Sequence, residues 1–212
     1  MVRLLKPDEG IVYLDGKAIS RMPTIEVARR LAILPQSSIA PTGLGELVEQ
    51  RRYPHAGPLR MLRRQDHQAI EEALTLTGLT TFRQRALDTL SGGERQRAWI
   101  ALALAQATHI LFLDEPTTFL DIGHQLEVLH LVQRLNRERG ITIVMALHDL
   151  NQAARFANTM VVLKNGKIVK QGKPADILNG SLLAEAFAVQ AYIVRDPVTN
   201  APFCIPYGSL PE

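Results

Sequence analysis

Apolar and polar positions along this chain follow two rhythms, and the change from one to the other marks out its organisation. Ile110-Leu111-Phe112-Leu113 is a short, wholly apolar run that stops abruptly at Asp114-Glu115-Pro116, as expected of a central parallel strand covered on both faces. Ile141 to Leu147 repeats the pattern as a second buried strand and ends in His148-Asp149. Between the two, Asp121 opens a helical stretch to about Arg139 and Gly140 stops it, which predicts a β-α-β unit. If both strands lie parallel in one sheet with the usual right-handed crossover, Glu115 and His148 leave that sheet at the same edge.

The flanking regions carry their own signals. Ile11-Val12-Tyr13-Leu14 and Lys17-Ala18-Ile19 flank Asp15-Gly16, a two-residue hairpin turn. Ile25–Arg30 predicts a short helix and Leu31–Leu34 a strand. From Ile39 to Leu90 helical spacing takes over, as in Leu44-Leu47-Val48 and Ile70-Ala73-Leu74, with a polar loop from Tyr53 to Pro58. This stretch predicts an inserted helical subdomain. Downstream, Met160–Leu163 and Lys167–Val169 flank Asn165-Gly166 in a second hairpin. Gly172-Lys173-Pro174 opens a final helical segment through roughly Phe187, and Ile193 to Pro206 predicts a small hairpin turning near Thr199-Asn200.

Composition narrows the class without defining it. The 212 residues suffice for one domain, or one plus a small subdomain, and 46% hydrophobic with 21% charged residues is ordinary for a globular chain. The most hydrophobic stretch, Ala98 to Leu113, is interrupted by Gln106, Thr108 and His109 and falls short of a membrane span. No signal peptide is expected, because Lys6 to Gly10 breaks any early apolar run. Cys204 stands alone, which excludes a disulfide framework and fits a reducing compartment. The formal charge of +3 fits a solvated basic face. Arg51, Arg52, Arg60, Arg63 and Arg64 are expected on such a face or at a subunit contact, not in a nucleic-acid patch. Only Tyr53 is a nearby aromatic, and Glu46, Glu49, Asp66, Glu71 and Glu72 dilute the field. His109, His124 and His130 do not predict a metal cluster: the last two fall on different faces of one helix, as surface or interface residues.

The candidate chemistry lies elsewhere. In Ser91-Gly92-Gly93-Glu94 the glycines remove side-chain bulk and allow unusual backbone angles, so that N–H groups at the head of a Glu94–Ala107 helix can face outward. Such a helix start attracts phosphate. Ligands of open α/β sheets sit at the carboxyl ends of strands, where Asp114 and Glu115 fall. A phosphate-binding helix start and two titratable groups thus point to a nucleotide.

These residues carry a family resemblance. Leu90–Arg97 resembles the signature motif of ABC-type ATPases, Ile110–Thr117 their Walker B strand, Leu120-Asp121 their D-loop, His148 their switch histidine and Pro35-Gln36 their Q-loop. The resemblance implies an α/β P-loop NTPase-like ABC ATPase core with a mostly parallel sheet and an inserted helical subdomain. It divides the chain into a partial core to residue 38, a helical subdomain over 39–90, a second core portion over 91–180, and a C-terminal helix and hairpin over 181–212. It also implies two ATPase subunits facing head to tail on ATP and Mg²⁺. Ser91, Gly92, Gly93 and Glu94 would meet the γ-phosphate on the partner, and Asp114 would help hold the metal. Glu115 would orient and deprotonate the attacking water, and His148 would contact the γ-phosphate. Gln36 would sense Mg²⁺ and link the site to a membrane permease, and Asp121 would belong to the nucleotide-binding face.

The finer pattern, Arg52-Tyr53-Pro54-His55, Thr117 to Asp121, Leu147 to Ala153 and Asp196-Pro197-Val198-Thr199, is similar to the ATPases of iron–siderophore importers, with haem and cobalamin importers as near alternatives. The implied setting is the cytoplasmic face of a prokaryotic membrane, with permease subunits, an indirect link to a periplasmic or lipoprotein substrate-binding protein, and no nucleic acid. Phe119 departs from the small residue common at that place in the wider family. The family's phosphate loop, G-x-x-x-x-G-K-[ST], does not occur in these residues, nor does the preceding adenine-stacking aromatic, and Met1–Gly10 resembles the end of the helix that follows that loop. Two expectations stand: a sequence that starts partway into the protein, favoured by the intact later motifs, or a non-catalytic subunit that lends only its signature face to a partner. Either way, the N-terminal strands and loop are missing from the expected core, and a polypeptide of these residues alone is expected to bind ATP weakly and hydrolyse little.

Overall fold

The computed structural model describes residues 7–34, 43–50, 52 and 62–211. They fall into two compact units, Met1–Ala146 and Leu147–Glu212.

The first unit is built on a parallel three-stranded sheet. Its strands β3 (Leu31–Leu34), β4 (Ile110–Asp114) and β5 (Thr142–Ala146) lie in the order β3-β4-β5, so the run ending in the acidic pair is the central strand, as its pattern predicts. Ile33 pairs with Phe112 and Phe112 with Val144, while Asp114 pairs with Ala146 at the carboxyl end. Leu111 and Leu113 are fully buried, whereas Ile110 and Phe112 are half-buried, so β4 is not covered equally on both faces. β5 departs further from expectation. Thr142, Val144 and Ala146, which share one face of β5, are exposed, while Ile143 and Met145 on the other face pack against the core.

Helices cover the buried face. Leu34, Leu111 and Leu113 share one core with Leu44 and Val48 of α2 (Leu44–Gln50), Ile70 and Leu74 of α3 (Arg64–Leu76), Ala98 and Leu102 of α4 (Gly92–Ala105), and Val128 and Leu135 of α5 (Ile122–Arg139). Helix α5 begins and ends where its sequence says. Asp121 caps it by accepting from the His124 N–H at 2.9 Å, and Gly140 closes it at φ +64°. The Asp15-Gly16 turn joins β1 (Tyr13–Leu14) to β2 (Lys17–Ala18), and α1 (Thr24–Arg30) leads into β3.

Arg52 corrects the reading of the basic segment. It is 6% exposed, its guanidinium bonds Asp66 Oδ1 at 2.9 and 2.5 Å, and it donates to the Ala105 carbonyl at 3.1 Å. Asp66 Oδ2 in turn accepts from the Arg63 backbone N–H, so one buried carboxylate joins the start of α3 to the end of α4. Arg63 and Arg64 are exposed as expected, while Arg51 and Arg60 lie outside the described residues.

The second unit packs α6 (Leu150–Phe156), α7 (Pro174–Ile177) and α8 (Gly180–Phe187) with two antiparallel hairpins. The hairpins are β6 (Met160–Lys164) with β7 (Lys167–Gly172), and β8 (Val189–Arg195) with β9 (Pro202–Ser209). The single helix expected after Pro174 is two, since Asn179 caps a new start by accepting from the Leu182 N–H at 2.9 Å. The Asn151 amide bonds both the N–H and the carbonyl of Cys204, at 2.7 and 3.1 Å, and holds α6 against β9. Among the described residues no helix is long and apolar enough to cross a membrane.

Candidate functional site

Three features of the first unit carry the residues singled out in the sequence. The first is the acidic pair. Asp114 closes the strand with its side chain exposed, and Glu115 follows at φ +49°, a left-handed conformation that costs a non-glycine residue about 1–3 kcal/mol. Local bonds hold it there. Its N–H donates to the Ala146 carbonyl of the neighbouring strand at 3.2 Å, and its own carbonyl accepts from the Thr118 N–H at 3.2 Å. The Thr118 hydroxyl donates to Glu115 Oε2 at 3.1 Å, which fixes the rotation of the carboxylate.

The second feature is the head of α4. Ser91 is its N-cap: the Ser91 hydroxyl accepts from the Glu94 N–H at 3.3 Å, and Glu94 Oε2 accepts from the Ser91 N–H at 2.8 Å. Hydrogen bonding to the Ser91 backbone N–H, and then to the Ser91 side chain, holds the Glu94 carboxyl below the usual carboxylate range. Gly92 and Gly93 are the first two helical residues, so their N–H groups have no intrahelical acceptor. Neither glycine has a positive φ, so the left-handed angles that glycine allows are not used here. Close approach requires the glycines instead. A Cβ on Gly93 would lie 2.3 Å from Cδ2 of His124, and one on Gly92 would lie 3.3 Å from a methyl carbon of Leu120. Ser91 and Gly92 are exposed, while Gly93 is buried beneath that ring.

The third feature is the loop from Glu115 to Asp121. Gln125 of α5 donates to the carbonyls of Leu120, at 2.9 Å, and Thr117, at 3.3 Å. Asp121 accepts the His124 N–H with Oδ1 and meets His124 Nδ1 with Oδ2 at 2.6 Å, and these bonds to His124 hold its carboxyl below the usual range. Phe119, 95% exposed at φ +64°, projects from the same loop, and Ile122, 79% exposed, from the first turn of α5.

Of the residues singled out in the sequence, Ser91, Gly92, Gly93, Glu94, Asp114, Glu115 and Asp121 thus lie on described, connected elements of one unit. β4 and β5 run parallel, so the chain leaves β5 beside Asp114. His148 follows in the second unit, exposed, beside Asp149, which caps α6 through the Asn151 and Gln152 N–H groups at 2.7 and 3.0 Å. Gln36 lies outside the described residues. Sequence reasoning missed Thr118, Gln125 and the packing of His124. The first two lie in or just after the motif, but the contact of His124 with Gly93 joins two helix starts distant in sequence and leaves no local pattern.

Asp114 presents the hard oxygen ligand that a divalent cation such as Mg²⁺ takes, one or two carboxylates at a time. Among the described residues no group of three or more His, Cys, Asp or Glu could hold a metal.

Comparison with known proteins places these motifs in context. The family model described as ABC transporter matches residues 1–118. The chain is 48% identical over 209 residues to the iron(3+)-hydroxamate import ATP-binding protein FhuC of Bacillus subtilis (strain 168), covering 98% of this chain and 78% of that protein. It is 45% identical over 208 residues to the ferric enterobactin transport ATP-binding protein FepC of Escherichia coli (strain K12), covering 97% and 77%. Among solved structures, the ATP-binding cassette MJ0796, a dimer in a post-hydrolysis state bound to ADP and Pi, superposes with a TM-score of 0.68 at 30% identity, covering 80% of this chain and 75% of that one.

Proposed function

The chain belongs to the ABC transporter ATP-binding family, and from that premise we propose that it is the ATP-hydrolysing subunit of a prokaryotic importer of iron–siderophore complexes. The observation that carries the catalytic part is Glu115, a carboxylate held in a strained backbone conformation at the end of the central strand and oriented by Thr118. The cargo rests on the relatives, which import iron(3+)-hydroxamate and ferric enterobactin.

The residues support a division of labour. Glu115 orients a water and accepts its proton as the water attacks the γ-phosphorus, while the bond from that phosphorus to the β–γ bridging oxygen breaks and ADP leaves. Asp114 would hold Mg²⁺, which would supply positive charge against the phosphate oxygens. The N–H groups of Gly92 and Gly93, which have no intrahelical acceptor, stabilise the γ-phosphate oxygens together with the Ser91 hydroxyl. They do so on the ATP of a second copy, in the head-to-tail arrangement that the family resemblance implies. Asp121 flanks that contact, His148 adds an imidazole to the γ-phosphate, and Gln36 links the site to the permease. The protein works as a head-to-tail homodimer on the cytoplasmic face of the membrane, under permease subunits that receive cargo from a binding protein. Sequence alone left a purely non-catalytic subunit open, but the strained and hydrogen-bonded Glu115 favours catalysis. The phosphate loop is not among the 212 residues, and none of them is assigned its role.

Uptake tests the cargo. Cells lacking the gene should lose accumulation of radiolabelled ferric siderophores and regain it with the wild-type gene, while haem and cobalamin uptake stays unchanged. Loss of haem or cobalamin uptake with siderophore uptake intact would reassign the cargo.

A further inference from the structure

The head of α4 and the start of α5 touch through one side chain. His124 sits in the first turn of α5, its ring half-buried, with Nδ1 2.6 Å from Asp121 Oδ2 and its backbone N–H on Asp121 Oδ1. The opposite edge of the ring covers Gly93, where a Cβ would lie 2.3 Å from Cδ2, 2.8 Å from Cγ and 3.2 Å from Cβ of the histidine. Rotation about χ1 cannot relieve all three contacts, because the histidine Cβ is itself among them. Any rotation also breaks the Asp121 pairing. Leu120 fills the space over Gly92 in the same way, at 3.3 Å.

We propose that His124 is a positioning residue for ATP hydrolysis: its ring, held by Asp121, wedges over Gly93 and makes the Ser91-Gly92-Gly93 helix start and the Leu120-Asp121 loop move as one body. The proposal rests on the function proposed above, in which both segments face the same neighbouring nucleotide. It also assigns Gly93 a second reason to be glycine, the space taken by the ring. Groups that must meet a phosphate together gain from a rigid link, since displacement of about 1 Å costs up to about a hundredfold in rate. The half-exposed imidazole stores little burial energy, so its main effect is on geometry.

Two measurements test the wedge. In the first, Gly93→Ala is introduced into the wild type and into His124→Ala, and thermal unfolding is followed. With His124 present the substitution should lower Tm. Without the ring it should leave Tm unchanged or raise it, because alanine is a better helix former than glycine. The same change of Tm in both backgrounds overturns the steric link. In the second, ATP turnover is measured on the transporter assembled with the protein as its host makes it. His124→Ala should lower kcat about tenfold with KM for ATP changed by less than about twofold, and His124→Gln, whose amide can still reach Asp121, should restore part of the loss. A normal kcat in His124→Ala overturns the positioning role, as does a loss that tracks Tm and is not relieved by glutamine. Survival of turnover in Glu115→Gln would show that the catalytic role given to Glu115 has failed, while the Tm series would still decide the wedge.

Discussion

At the scale of single residues the site depends on conformations that side chains, not glycines, are made to adopt. Glu115 holds φ +49° because Ala146 and Thr118 occupy its backbone N–H and carbonyl, so a carboxylate that would otherwise sample many directions is aimed in one. Its identity was legible from the apolar run before it; its strain was not, because one of the bonds that enforce it comes from Ala146, in a strand about thirty residues later, and cannot be counted along the chain. The exposed acids Glu94 and Asp121 make an acid-stability prediction. Both are held below their usual ranges by hydrogen bonds that favour the charged form, to Ser91 and to His124 respectively. Their contribution is therefore complete above the unfolded values near pH 4 and is lost as pH falls through the lowered folded values. Asp121→Asn, which keeps an acceptor but cannot ionise, should show a shallower fall of Tm than the wild type below about pH 4. Parallel curves would mean that Asp121 contributes no such term.

Elements were legible where a boundary carries local chemistry. Asp15-Gly16 and Asn165-Gly166 adopt left-handed φ values, +49° and +76°, then +51° and +73°, and make the two tight hairpins that their sequences predict. The Asp121 cap and the Gly140 stop set α5 in the same way. Gly140 has open space around its Cα, so Gly140→Ala should cost only the backbone term, about 1 kcal/mol, read as a lower denaturant midpoint at constant m-value. The exposure of β5 was not legible, because an apolar run does not say whether both faces of its strand are covered. The burial of Arg52 was hidden for a related reason: Asp66 and the end of α4 approach it only through tertiary packing. Arg52→Met should cost about 3–5 kcal/mol by leaving Asp66 charged and buried, and Arg52→Met with Asp66→Leu should recover much of that loss. Equal midpoints for Arg52→Met and the wild type would contradict the buried pair.

At the scale of the molecule, each unit has a core of its own, one around Leu111, Leu113 and the helices, the other around Leu182, Leu183 and Val162. Hydrogen exchange should separate them: Leu183→Ala, which empties a fully buried site at a cost of about 2–5 kcal/mol, should speed exchange in α8 and β8 more than in β4 or α4. Uniform acceleration along the chain would show one cooperative core. The α/β class was legible from the sequence, because parallel strands, crossover helix and terminal acids lie in order along it. Contacts between the head of α4 and the loop before α5 were not, because they join segments separated by a strand. Those contacts and the acidic pair make one claim, that this chain hydrolyses ATP through Glu115. The most direct test is the ATP turnover of the assembled transporter with Glu115→Gln, which keeps the shape and removes the base. The account predicts that kcat falls about 10²–10⁴-fold while ATP still binds. A rate within twofold of the wild type, or no ATP turnover by the transporter assembled with the wild-type protein as its host makes it, would contradict it.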